Sequence, residues 1–120
     1  SLPPVCGSYR ADLFDAGEAR PLVQVLVEAL RPSVDLWLGE TLSAIAEAQL
    51  LREVIGQDGK PLWLSFTLSD DGTYTDVPRL RSGETVTAAV EAARQWTATF
   101  NPVPVDAAAF ARLYRAAAGE

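Results

Sequence analysis

Asp35-Leu36-Trp37-Leu38-Gly39-Glu40-Thr41 is the stretch that decides the fold. An apolar run ends abruptly in a carboxylate and a hydroxyl. A helical pattern begins at once, over 43–55, and a second apolar run follows, Leu62-Trp63-Leu64-Ser65-Phe66-Thr67. Strand, helix, strand with polar groups at the strand C-terminal ends is the pattern of parallel α/β proteins, which bind ligands at that edge. The strand over 34–40 shows almost no alternation, as expected for one covered on both faces. Ser43 reads as the N-cap of helix 43–55, whose Ala44, Ala48, Leu51, Val54 and Ile55 mark one buried face, and Gly56 ends it.

Working outward, residues 1–17 read as loop, punctuated by Pro3, Pro4, Gly7 and Gly17. Leu22, Val23, Leu26, Val27 and Leu30 recur at helical spacing, giving a helix over 18–31 with Pro21 in its first turn and Pro32 as its stop. The polar segment 68–83 is a long loop on the ligand side, and 83–95 is a helix with Val86, Ala89, Val90 and Ala93 inward. Trp96 to Phe100 fits a short strand, and Asp106 caps an alanine-rich helix over 107–118. The order α, β, α, β, α, β, α favours parallel β/α units with right-handed crossovers, in one domain over 1–120. The units form a small open sheet or a partial (β/α)8 TIM-type barrel, since a whole barrel needs roughly 250 residues.

The 120 residues are enough for a real core, and 48% hydrophobic content excludes a disordered chain. A net charge of -6 repels a phosphate backbone, so a nucleic-acid partner is not expected. No apolar run approaches the ~20 residues of a membrane span. Ser1-Leu2-Pro3-Pro4 has no basic region or signal-peptide core, and the chain lacks methionine, which fits a segment processed or cut from something larger. A single cysteine, Cys6, fits a reducing, cytoplasmic setting. The absence of histidine rules out His-based triads and His-containing zinc sites within this chain.

Glu40 is the leading candidate for chemistry: a carboxylate at a strand end binds a ligand ammonium group, acts as a base if burial raises its pKa, or caps the next helix. Thr41 either assists it or is a turn hydroxyl. Ser65 and Thr67 are packed, hydrogen-bonded hydroxyls or, for Thr67 at the ligand edge, a substrate contact. Arg10 either meets an anion or pairs with Asp12 or Asp15 on the surface. Asp70, Asp71 and Asp76 read as a solvated loop, and Trp37, Trp63 and Trp96 as core aromatics.

Ser1-Leu2-Pro3-Pro4 with Gly7-Ser8-Tyr9-Arg10, then Asp35 to Thr41 with its Glu- and Ala-rich helix, then Trp63-Leu64-Ser65-Phe66-Thr67-Leu68 before an Asp/Gly loop, resemble the homocysteine S-methyltransferase family over residues 1 to about 95. The resemblance implies a (β/α)8 barrel that moves a methyl group onto the sulfur of homocysteine to give methionine. Its donors are S-methylmethionine, S-adenosylmethionine or betaine, and its cofactor is a zinc ion that favours the thiolate. It implies that Glu40 holds the homocysteine ammonium group, and Thr41 and Thr67 join it as expected substrate contacts from their positions at the strand ends. Departures accompany the resemblance. Pro102 follows Asn101 where the family has a zinc cysteine, the Cys-Cys pair and the N-terminal Asp-Gly strand are absent, and Cys6 matches no zinc position. This chain therefore carries no complete zinc site. It is a piece of a longer enzyme, a half-barrel that pairs as a homo-oligomer or with a missing barrel half, or a relative that kept the scaffold without the chemistry. A barrel enzyme using Glu40 as a base without zinc is a further alternative.

Overall fold

The computed structural model describes residues 1–70 and 77–97. It is an α/β arrangement in the order α1 (Ala16–Leu30), β1 (Trp37–Leu42), α2 (Ile45–Ile55), β2 (Leu62–Phe66), α3 (Val86–Thr97). β1 and β2 pair in parallel, with Trp37 opposite Leu62, Leu38 opposite Trp63 and Gly39 opposite Leu64. That is the expected β/α/β unit, and α2 is its crossover.

The N-terminal segment is more ordered than a loop. Leu2 bridges Gly39 in parallel: its N–H donates to Leu38 O at 2.7 Å and its carbonyl accepts from Glu40 N at 3.1 Å. β1 thus has a hydrogen-bonded neighbour on both edges, and Leu2 is fully buried. A 3-10 turn, Ala11–Leu13, leads into α1, which starts earlier than residue 18 because Asp15 caps it, its Oδ1 accepting from Glu18 N at 2.9 Å. Pro21 therefore lies beyond the first turn. It takes no hydrogen bond to Gly17 O, and both residues are exposed, so that carbonyl is left to water.

The core gathers Leu2, Ala19, Val23 and Val27 with Trp37 and Leu42 of β1 and Ala48, Leu50, Leu51 and Ile55 of α2. Gly39 has no side chain because α2 comes too close: a Cβ there would sit 2.6 Å from Leu51 Cδ1. Trp37, Gly39, Leu62 and Leu64 thus share the helix-facing side of the sheet. The opposite side carries Leu38 and Glu40 of β1 and Trp63 and Ser65 of β2. Trp63 is 59% exposed, so the expectation of a core role for Trp63 is corrected, while Leu38 and Glu40 of β1 on the same face are part-buried. Trp37 is a core aromatic, only 1% exposed.

At the N-terminal end of β1, Asp58 fastens the bottom of the sheet. It accepts from Trp37 Nε1 at 2.8 Å, Arg31 Nη1 at 2.9 Å and Lys60 N at 3.0 Å. Arg31 and Lys60 both lie over the Trp37 ring, 5.9 and 5.8 Å from its centroid. Burial pushes the Asp58 carboxyl up, but these hydrogen bonds and the charges of Arg31 and Lys60 outweigh it and hold the group below its ordinary value.

β1 starts later and ends later than the apolar pattern predicted. Pro32 closes α1 through a 3-10 turn, Arg31–Ser33, and residues 35 and 36 bend before pairing begins. After β2 the chain folds back on itself: Leu68 bridges Leu80, Arg79 bridges Thr85, and Leu80 is buried. α3 extends through Thr97, so the expected strand from Trp96 begins inside a helix, and the rest of it lies outside the described residues. The helix expected over 107–118 also lies outside them.

Candidate functional site

The site lies at the C-terminal edge of the sheet, where the Leu2 segment, β1 and β2 all point the same way. Glu40 is inside β1 rather than at its end, and it is half-buried. Its backbone N–H is spent on Leu2 O, while its carboxylate Oε1 accepts from Ser1 Oγ at 2.5 Å. It does not cap α2. Thr41 follows with φ 60°, and the pairing register slips between Gly39 and Leu42. A β-branched residue in the left-handed region stores strain, and such irregular backbone gathers at ligand edges. Glu40 and Thr41 thus form a bulge in which β1 is re-aimed before it enters the α2 corner.

That corner is closed by carboxylates. Ala44, not Ser43, is the residue before α2, and alanine has no oxygen to offer. Glu47 supplies it from within the helix, its Oε2 accepting from Ser43 N at 2.5 Å and Ala44 N at 2.9 Å. Glu84 supplies the next from beyond β2, accepting from Ile45 N at 2.9 Å and from Ser82 Oγ at 2.7 Å. The N–H groups of Ser43, Ala44 and Ile45 are therefore satisfied by the protein itself. Burial raises the Glu47 carboxyl above its ordinary value, with the two backbone hydrogen bonds partly offsetting that.

Thr67 stands just beyond β2. Its N–H donates to Leu42 O at 2.7 Å, and its Oγ1 lies 3.1 Å from the same carbonyl and 3.3 Å from Ser43 Oγ. It ties the two strand ends together, and its hydroxyl is engaged in packing contacts. Ser65 is exposed on the open face. Thr67 O accepts from Arg81 N at 3.3 Å, and Ser43 O accepts from Ser82 N at 3.0 Å, so the 80–84 turn is pinned to both strand ends. From there the Arg81 guanidinium lies 5.0 Å from the Tyr9 ring centroid, and its Nη2 pairs with Asp70. Tyr9, like Thr41, has positive φ, at 64°.

Glu40 and Thr41 are consecutive on β1, and Thr67 joins them through Leu42 and Ser43. Arg10 takes the surface role, gripping Asp12 through Nε at 2.7 Å and Nη2 at 2.6 Å. Asp71 and Asp76 lie outside the described residues. Sequence reasoning missed Tyr9, Arg81, Glu47 and Glu84. The Ala44-x-x-Glu47 spacing carried a capping signal, whereas nothing local marks Arg81. The zinc expectation meets a donor set that does not fit it. The chain has one cysteine and no histidine, and among the described residues no three Cys, Asp or Glu side chains gather as a metal cage. Cys6 stands apart, with its Sγ 4.0 Å from Asp15 O. No described helix is long and apolar enough to cross a membrane.

A family model described as Homocysteine S-methyltransferase matches residues 7–111 of the chain. No curated protein and no solved structure matches the chain.

Proposed function

The chain belongs to the homocysteine S-methyltransferase family, and we propose that it supplies the amino-acid-binding edge of a (β/α)8 barrel that methylates homocysteine to methionine. In that reaction the homocysteine sulfur forms a bond to the methyl carbon of an S-methyl or related donor. The bond from that carbon to the donor breaks, its electron pair leaves with the donor, and the thiol proton is released. The role of this chain is to bind and orient. Among the described residues no metal cage is gathered, so on this reading activation of the thiol is assigned to groups outside them. A reducing compartment such as the cytoplasm suits a thiol substrate.

The observation that carries the reading is Glu40. Its half-buried carboxylate stands at the ligand edge of a parallel sheet, on the face away from the helices, and is already accepting a hydroxyl at 2.5 Å. A ligand ammonium group makes the same contact with charge added, worth about 1.5–3 kcal/mol. Thr41 and Thr67 fix the edge around it. Calorimetric titration of the chain with homocysteine tests this. Glu40→Gln is expected to weaken homocysteine and its decarboxylated analogue 3-mercaptopropylamine by roughly tenfold or more. The deaminated analogue 4-mercaptobutyrate is expected to bind as before. Equal affinity of both proteins for the amine, or no binding by the unaltered chain, refutes the assignment.

One observation favours a second reading. The sheet face carrying Trp63 is open, as the inside of an unclosed barrel would be. On that reading the chain is a non-catalytic α/β half-barrel module that associates through its sheet, as a homo-oligomer or with a missing barrel half.

A further inference from the structure

Arg81 is the one described side chain with a buried polar atom that lacks a partner: its Nε is out of contact with solvent and donates to nothing. The side chain as a whole is 25% exposed, so the guanidinium is reachable from solvent while its inner edge is not. Nε and Nη2 form the side-on fork of a guanidinium, the geometry that takes both oxygens of a carboxylate at once. Arg10 shows the filled version in the same molecule, with Nε and Nη2 on the two oxygens of Asp12. Arg81 is half-filled, since Asp70 meets Nη2 through one oxygen and leaves Nε empty.

The place of this half-filled fork is what gives it meaning. The Arg81 backbone is held by Thr67, the first residue past β2, and Thr67 is held by Leu42, two residues on from Glu40. The guanidinium lies against Tyr9, which follows the Leu2 segment on the other side of β1. The turn that carries it is fixed at Ser43 O and by Glu84 on α2. Arg81 is thus anchored from several sides at the ligand edge. Asp70, its present partner, is 79% exposed and free to be displaced. We infer that Arg81 receives the carboxylate of the amino-acid substrate through its Nε/Nη2 fork, and that Asp70 is an internal competitor that yields when the substrate arrives. This rests on the proposed function: Glu40 takes the ammonium end and Arg81 the carboxylate end of one zwitterion.

The two half-ligands separate the two claims. Arg81→Lys keeps the charge and removes the fork. It is expected to weaken 4-mercaptobutyrate and homocysteine by roughly ten- to a hundredfold, leaving 3-mercaptopropylamine unchanged. Asp70→Asn removes the competitor from an exposed position without disturbing the core. It is expected to tighten 4-mercaptobutyrate severalfold, and it carries the test if Arg81→Lys fails to fold. The inference is overturned if Arg81→Lys folds and binds 4-mercaptobutyrate as the unaltered chain does. It is equally overturned if Asp70→Asn leaves that affinity unchanged or lower, or if the unaltered chain does not bind 4-mercaptobutyrate. Loss of the amine half-ligand in Glu40→Gln alongside an unmoved carboxylate half-ligand in Arg81→Lys would leave the function standing and remove this assignment. The reverse pattern would remove Glu40 as the ammonium site and, with it, the zwitterion assignment, leaving Arg81 only as a carboxylate-binding group.

Discussion

Replacing Asp58 by alanine should be costly, because one carboxylate, only 11% exposed, serves three donors at the bottom of the sheet. The indole N–H of Trp37 is the most expensive to orphan. Trp37 is 1% exposed, so its donor loses its acceptor without gaining water, at about 1–3 kcal/mol. The Lys60 N–H bond closes the 57–61 turn and adds about 0.5–1.5 kcal/mol. The Arg31 ion pair adds little, since its side chain is 37% exposed and solvent screens it. The sum is about 3 kcal/mol. With a urea slope of about 1–3 kcal/mol/M for a small protein, the unfolding midpoint should fall by about 1–3 M. The measurement is urea unfolding followed by tryptophan fluorescence, to which Trp37 contributes together with Trp63 and Trp96. The folded-state pKa of Asp58 is lowered, so its ionic contribution is complete above the unfolded aspartate value of about 3.9 and is lost as pH falls through the folded one. The gap between the protein and Asp58→Asn should therefore be constant near neutrality and narrow only on the acid side. A loss below about 0.5 kcal/mol for Asp58→Ala would refute the view that this carboxylate fastens the sheet.

Two further outcomes follow from the packing. Gly39→Ala places a Cβ 2.6 Å from Leu51 Cδ1, 3.2 Å from Leu64 Cδ2 and 3.3 Å from Leu42 Cδ1, and is expected to destabilise by about 1–3 kcal/mol in the same urea assay. An unchanged midpoint would mean that α2 does not press on β1 there. Trp63→Asp puts a charge on the open sheet face. If the chain associates through that face, sedimentation should show the complex dissociating while the urea midpoint of the isolated chain changes by less than about 0.5 kcal/mol. Unchanged sedimentation of an associating protein would move the interface elsewhere.

Much of the architecture was legible because it depends on local periodicity. The buried face of α2 falls on Ala48, Leu51 and Ile55, as the helical spacing of apolar residues requires, and Gly56 ends the helix with φ 69°. The parallel pairing of β1 and β2 follows from their separation by a helix. The errors have physical causes. Leu2 gave no strand signal because one bridging residue ahead of Pro3 and Pro4 has no period to detect. The start of β1 slipped from 34 to 37 because Val34 and Leu36 are apolar where strand pairing has not begun. The openness of the Trp63 face was illegible because the same apolar run serves a face that is covered and one that is not.

For the site, the sequence determined the chemical stock: one carboxylate in an apolar strand, hydroxyls nearby, no histidine and a lone cysteine. It also determined that Glu40, Thr41 and Thr67 share one edge, because parallel strands joined by a helix must present their C-terminal ends together. Only the tertiary structure decided what stands around them. Tyr9 lies ahead of α1, whereas Asp70 and Arg81 lie in the connection between β2 and α3, and no periodicity links their positions. They meet because Leu2 pairs with one edge of β1, β2 pairs with the other, and the 80–84 turn is pinned across both strand ends. Hydrogen bonding between distant backbone groups sets that convergence, and it is information that no local stretch of the chain contains.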